Sequence, residues 1–181
     1  MGTARETAFC FTVAASYGIL LLVQTVYIET MIPSYLAANP SSLSAVASDQ
    51  RATHEWWQYE RQRFRLYTSI FTIDEVSAGD QQAAGRRLDW LKSIPRLPLS
   101  PEAEELAKNV AKLLQLPPKA AMDASHVALS ILHKMDYMLT WNCTHLANPV
   151  LQKELVEFCG YNELHVPIIC TPATLTAPRH E

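Results

Sequence analysis

Short apolar runs rich in β-branched and aromatic residues alternate along this chain with longer stretches of helical period. Thr25–Ile28 predicts a first strand, closed by Glu29 and Thr30. Pro33 restricts Ile32 and predicts a turn before the next helix, and Asn39-Pro40-Ser41-Ser42 reads as loop and cap. Leu43–Tyr67 predicts one long helix whose heavy apolar side chains are Trp56, Trp57 and Phe64. Leu66–Phe71 predicts a second strand, with Ser69 or Thr72 capping a helix that carries Glu75 and Val76. Gly79-Asp80 breaks that helix and Gln81–Ile94 forms another. Arg96–Leu99 is short and extended. Ser100-Pro101-Glu102 supplies a cap, a proline at the first helical position and an acid at the positive dipole end, for a helix reaching about Leu114. Pro117-Pro118 separates it from a helix over roughly Lys119–Lys134. Asp136–Trp141 predicts a strand ending in Asn142. Asn148-Pro149 opens a helix over Val150–Phe158, closed by Gly160, and Val166–Cys170 predicts the last strand.

Strands alternating with helices imply a parallel sheet covered on both faces. Ligands of such sheets bind beyond the carboxyl ends of the strands, where Glu29 and Asn142 fall. A chain of 181 residues is long enough for a core of its own. The formal net charge of −3 gives no global basic field of the kind that announces a nucleic-acid binder. Cys10, Cys143, Cys159 and Cys170 include no C-x-x-C pair, so a structural zinc site is not expected, and reduced thiols in a cytoplasmic protein are the default. From Thr7 to Ile28 no residue is charged, a length compatible with a membrane span, but Thr12, Ser16 and Gln24 dilute it. We therefore expect residues 1–24 to be an extra helix or a non-native lead, residues 25–178 to be the functional domain, and no stable membrane association.

Hard divalent cations such as Mg²⁺ or Mn²⁺ take oxygen ligands, some from protein and the rest from water. Glu29, Glu75, Asp123 and Asn142 could converge to supply them. Each has an ordinary alternative: a surface acid at a strand end for Glu29, a dipole-favoured acid for Glu75, a helix acid for Asp123, and a turn cap for Asn142. Asp123 is the most pointed, because it follows Ala120-Ala121-Met122 in an alanine-rich helix. His126 shares its face at i+3 and could orient a ligand or a phosphate, and His145 is similarly placed near Asn142. No P-loop, G-x-S-x-G or G-x-G-x-x-G occurs.

Together, these segments resemble the PIN domain, the nuclease fold of VapC-type toxins. The similarity is carried by Tyr27-Ile28-Glu29-Thr30-Met31-Ile32-Pro33-Ser34-Tyr35, Asp74-Glu75-Val76 with Gly79-Asp80, Asp123-Ala124-Ser125-His126-Val127-Ala128, and Leu139-Thr140-Trp141-Asn142-Cys143-Thr144-His145-Leu146-Ala147-Asn148. It spans about Thr25 to Pro172. The resemblance implies a three-layer α/β/α fold with a mostly parallel sheet and an endoribonuclease dependent on Mg²⁺ or Mn²⁺. It implies Glu29, Glu75 and Asp123 as metal ligands, Asn142 in the fourth acidic position, and Thr30, His126 and His145 on the RNA substrate. It further implies a cognate antitoxin partner and a homodimer. Met31 stands where this branch has serine, and Asn142 contributes a neutral oxygen. Both lower the expected activity, and the alternative they raise is a weakened module that binds RNA or protein without cutting.

Overall fold

The computed structural model describes residues 23–176; the lead expected over residues 1–24 lies, up to residue 22, outside them. Five strands form the sheet: β1 (Thr25–Ile28), β2 (Arg65–Ser69), β3 (Arg96–Leu97), β4 (Tyr137–Leu139) and β5 (Ile168–Cys170). All neighbours run parallel, in the order β3-β2-β1-β4-β5. The helices are α1 (Met31–Ala37), α2 (Ser44–Glu55), α3 (Ile70–Ser77), α4 (Gln81–Leu91), α5 (Pro101–Leu113), α6 (Ala121–Leu132) and α7 (Pro149–Tyr161).

Strand alternation sorts the core into two layers. Tyr27, Met138 and Ile169 face α5, α6 and α7, packing on Val110, Ala124, Val127 and Leu155. Val26, Ile28 and Leu139 face the other way, onto Ile32 and Leu36 of α1, Trp56 and Trp57 after α2, and Leu91 of α4. The sheet is thus covered on both sides, which is the three-layer α/β/α architecture expected from the sequence. No helix among the described residues is long and apolar enough to cross a membrane.

Local chemistry sets most boundaries. Ser69, Asp80, Ser100 and Asn148 each accept a hydrogen bond from a backbone N–H of the first helical turn. Ser69, not Thr72, is the cap of α3. The long helix expected over Leu43–Tyr67 is shorter. It widens into a π turn at Trp56–Glu60, tightens to a 3₁₀ turn at Arg61–Arg63, and gives way to β2. The wide turn lets the consecutive Trp56 and Trp57, 1 % and 7 % exposed, both reach the core, with ring centroids 6.4 Å apart. Gly160 does not close α7. The helix runs through it to Tyr161, and the left-handed residue that follows is Glu163, at φ 55°.

Candidate metal centre

The site lies where β1 and β4, adjacent in the sheet, reach their carboxyl ends and their connections diverge. The Glu29 N–H donates to Leu139 O at 3.2 Å, extending the ladder one step and setting the Glu29 side chain beside Thr140. Glu29 Oε2 accepts from the Thr140 hydroxyl (2.9 Å) and from the Met31 N–H (3.0 Å). Burial pushes the Glu29 carboxyl above its ordinary range. His126 and these two donors only partly offset that, and the nearby Glu75 adds to it.

Glu75 reaches the same place from α3. Its Oε2 accepts from the Thr30 hydroxyl and from His126 Nε2 at 2.9 Å. Burial raises its pKa, but these two donors outweigh burial and hold it below the usual carboxylate value. His126, 1 % exposed, is the hub behind both acids, its Nδ1 meeting the Tyr27 hydroxyl at 2.7 Å, which in turn meets Ser69 Oγ at 2.6 Å. Burial opposes charge on the imidazole, yet Tyr27, Glu75 and Glu29 around it raise its pKa well above the usual histidine value. One potential ligand atom from each of Glu29, Glu75 and His126 lies within 4.8 Å of the others.

Asp123 stands on the α6 face that carries His126, one turn earlier. It is not in that close trio; its Oδ2 accepts from Asn142 Nδ2 (2.9 Å) and from His145 Nδ1 (3.0 Å). Asn142 Oδ1 accepts the His145 N–H, and the Asn142 N–H donates to Thr140 Oγ1 (both 3.0 Å). Thr140 therefore joins the two halves of the site, touching Glu29 on one side and Asn142 on the other.

Three sequence expectations are refined by this arrangement. Asn142 has both ends of its amide hydrogen-bonded to protein, Nδ2 to Asp123 and Oδ1 to the His145 N–H, which ties it to Asp123. Thr30 and His126, expected on the substrate, both hydrogen-bond Glu75, and His126 is 1 % exposed. His145, also expected on the substrate, binds Asp123 through Nδ1. Its ring is 26 % exposed and Nε2 has no hydrogen-bond partner among the described residues. Thr140 and Tyr27 are not expected in the site from the sequence, and Ser69 is expected only as a helix cap. The signal for them is weak: three hydroxyls in or beside strands, all completely buried.

A divalent cation suits this donor set. Glu29, Glu75 and Asp123 are each tied to protein donors through one carboxylate oxygen. The other oxygen of each has no hydrogen-bond partner among the described residues. No buried side-chain polar atom among those residues lacks a partner, so these free oxygens reach solvent. Glu29 and Glu75, with ligand atoms within 4.8 Å, repel one another unless a cation sits between them.

Fold and acid-rich crevice together define an α/β/α domain of PIN-like type. Among solved structures the chain is similar to a protein chain in the crystal structure of VapBC2 from Rickettsia felis bound to a DNA fragment from their promoter. The TM-score is 0.52 at 11 % sequence identity, over 82 % of this chain and 98 % of that one. No family model matches the sequence, and no curated protein matches it.

Proposed function

We propose that this protein is a metal-dependent endoribonuclease, the VapC-type toxin of a toxin–antitoxin pair. The observation that carries the reading is the row of three carboxylates, each anchored by one oxygen and open at the other, on a fold shared with a VapBC2 chain. Glu29, Glu75 and Asp123 would hold Mg²⁺ or Mn²⁺. Such an ion, when bound, supplies positive charge for the phosphate oxygens and a water acidified enough to attack phosphorus.

The chain's own residues do the positioning. Thr140 and the Met31 N–H fix Glu29, Thr30 and His126 fix Glu75, and Asn142 and His145 fix Asp123. Outer partners of this kind commonly change metal affinity or activity by about 10- to 100-fold when removed. When its ring is protonated, His145 can donate from Nε2 to a phosphate oxygen of the RNA, its Nδ1–H being given to Asp123. The Met31 side chain offers no hydroxyl, but its backbone N–H anchors Glu29 all the same. The similarity to a chain from a toxin–antitoxin assembly on promoter DNA supports an antitoxin as the protein partner; a homodimer is part of the same proposal.

Incubating the purified protein with total RNA and Mn²⁺ tests this. Wild type is expected to cut and Asp123→Asn to lose at least about a hundred-fold in rate, since Lewis-acid stabilisation of this kind supplies several kcal/mol. Undiminished cutting by Asp123→Asn would remove that acid from the site. Tight RNA binding without turnover would favour the weakened-module alternative that Asn142 raises.

A further inference from the structure

Tyr35 and Trp141 belong to the two stretches that carry the acids, yet the metal centre uses neither side chain. Trp141 lies between Thr140 and Asn142, and alternation turns its ring to the opposite side of the sheet's carboxyl edge, where it packs beside α1. There the Tyr35 ring stacks on it, with centroids 6.1 Å apart and an interplanar angle of 28°. The indole is fixed from behind, its Nε1–H donating to Thr53 Oγ1 at 2.8 Å. Neither ring is fully buried, unlike Trp56, which is 1 % exposed in the core below. The Tyr35 hydroxyl has no hydrogen-bond partner among the described residues, and burial together with Asp49, Cys143 and Glu29 holds its proton on more tightly than usual. Trp141 is flanked in the chain by Thr140 and Asn142, which bind Glu29 and Asp123, so the pair borders the acid crevice.

Core packing alone would not need a half-exposed aromatic pair with an uncommitted hydroxyl at the rim of a site. Single-stranded RNA is bound by stacking its bases on such surfaces, with hydrogen bonds to base edges adding selectivity. We infer that Tyr35 and Trp141 form a stacking platform for one nucleobase of a single-stranded RNA, flanking the phosphate held at the metal centre. The inference rests on the ribonuclease reading and adds to it a base subsite. Trp141, with Tyr35 stacked on its ring and its indole N–H engaged, backs the platform and reads no base. Tyr35 contributes both a face and a hydroxyl that can read a base or a ribose.

The test begins by mapping the cut sites on total RNA. A single-stranded decamer of that sequence is then synthesised with 2-aminopurine scanned through each position, and Ca²⁺ replaces Mn²⁺ to keep it uncut. The expected result is quenching of 2-aminopurine at one position beside the scissile phosphate. Tyr35→Ala and Tyr35→Leu should abolish it and raise KM about ten-fold with kcat nearly unchanged, in line with the loss of one stacked base. Tyr35→Phe should keep the quenching but change the preference for the base at that position. Mn²⁺ affinity and circular dichroism spectra matching wild type would show that the variants are folded. If the protein cuts RNA but no position is quenched, or if Tyr35→Ala and Tyr35→Leu leave KM unchanged, the platform is wrong and the ribonuclease reading stands. If wild type neither cuts nor binds RNA, both fall together.

Discussion

Glu29 is 5 % exposed and has Glu75 as a neighbour, so in the metal-free protein its charge is held against both burial and repulsion. Its folded pKa is raised above the ordinary 4.5. Below that value the group is protonated in folded and unfolded chains alike and has no effect on stability. As pH rises through the folded pKa, the unfolded chain has already lost its proton and the folded chain must lose one unfavourably, so stability falls. Glu75 has the opposite sign: its lowered pKa contributes stability above 4.5 that disappears as pH falls through the folded value. Glu29→Gln is therefore expected to raise the metal-free melting temperature at pH 8 by about 2–4 °C, roughly the effect of 1 kcal/mol in a chain of this size, and to change little at pH 4. Mn²⁺ should raise the melting temperature of wild type at pH 8 and do so far less in the variant. Differential scanning fluorimetry at both pH values, with and without the ion, measures this.

At the scale of the elements, capping chemistry made the helix starts legible, because Ser69, Asp80, Ser100 and Asn148 act on residues next to them in the chain. The ends were harder to read. Trp56-Trp57 hides a π turn, since a helical period cannot show that two adjacent aromatic residues will both be drawn inward. Gly160 was read as a stop, but the buried Leu155 and Cys159 hold α7 together through it. A Cβ at Gly160 would meet nothing within 4 Å. Gly160→Ala should accordingly stabilise the protein by about 1 kcal/mol, measured as a higher urea midpoint with an unchanged slope. The site divides in the same way. Its acids were visible because they end strands or interrupt alanine-rich helix. Of the groups that orient them, Thr30, His126, Asn142 and His145 were visible, but Thr140 and Tyr27 were not, because Thr140 lies 111 residues from Glu29, and Tyr27 lies 99 from His126. Only the strand order brings them together.

Across the whole molecule, the centre joins parts that otherwise pack in different layers: β1 and β4 in the sheet, α3 at its edge, and α6 on one face. A cation at that point would tie the carboxyl ends of the central strands to two helices. Hydrogen exchange should then slow, on adding Mn²⁺, at the Glu29, Thr140 and Asn142 amides, while α7 amides such as Leu155 change little. Uniform slowing over the whole chain would mean that the ion binds elsewhere or acts without a local anchor. Exchange followed by mass spectrometry resolves the two patterns.

The long separation between β1 and β4 also sets a clock on synthesis. A ribosome making this chain releases Thr140 more than a hundred residues after Glu29, so the crevice has only one wall until then. Asp123 emerges before Asn142 and His145, the two groups that aim it. If the assembled site cuts RNA, the growing chain is harmless to the messenger it is being read from until almost the last strand has emerged.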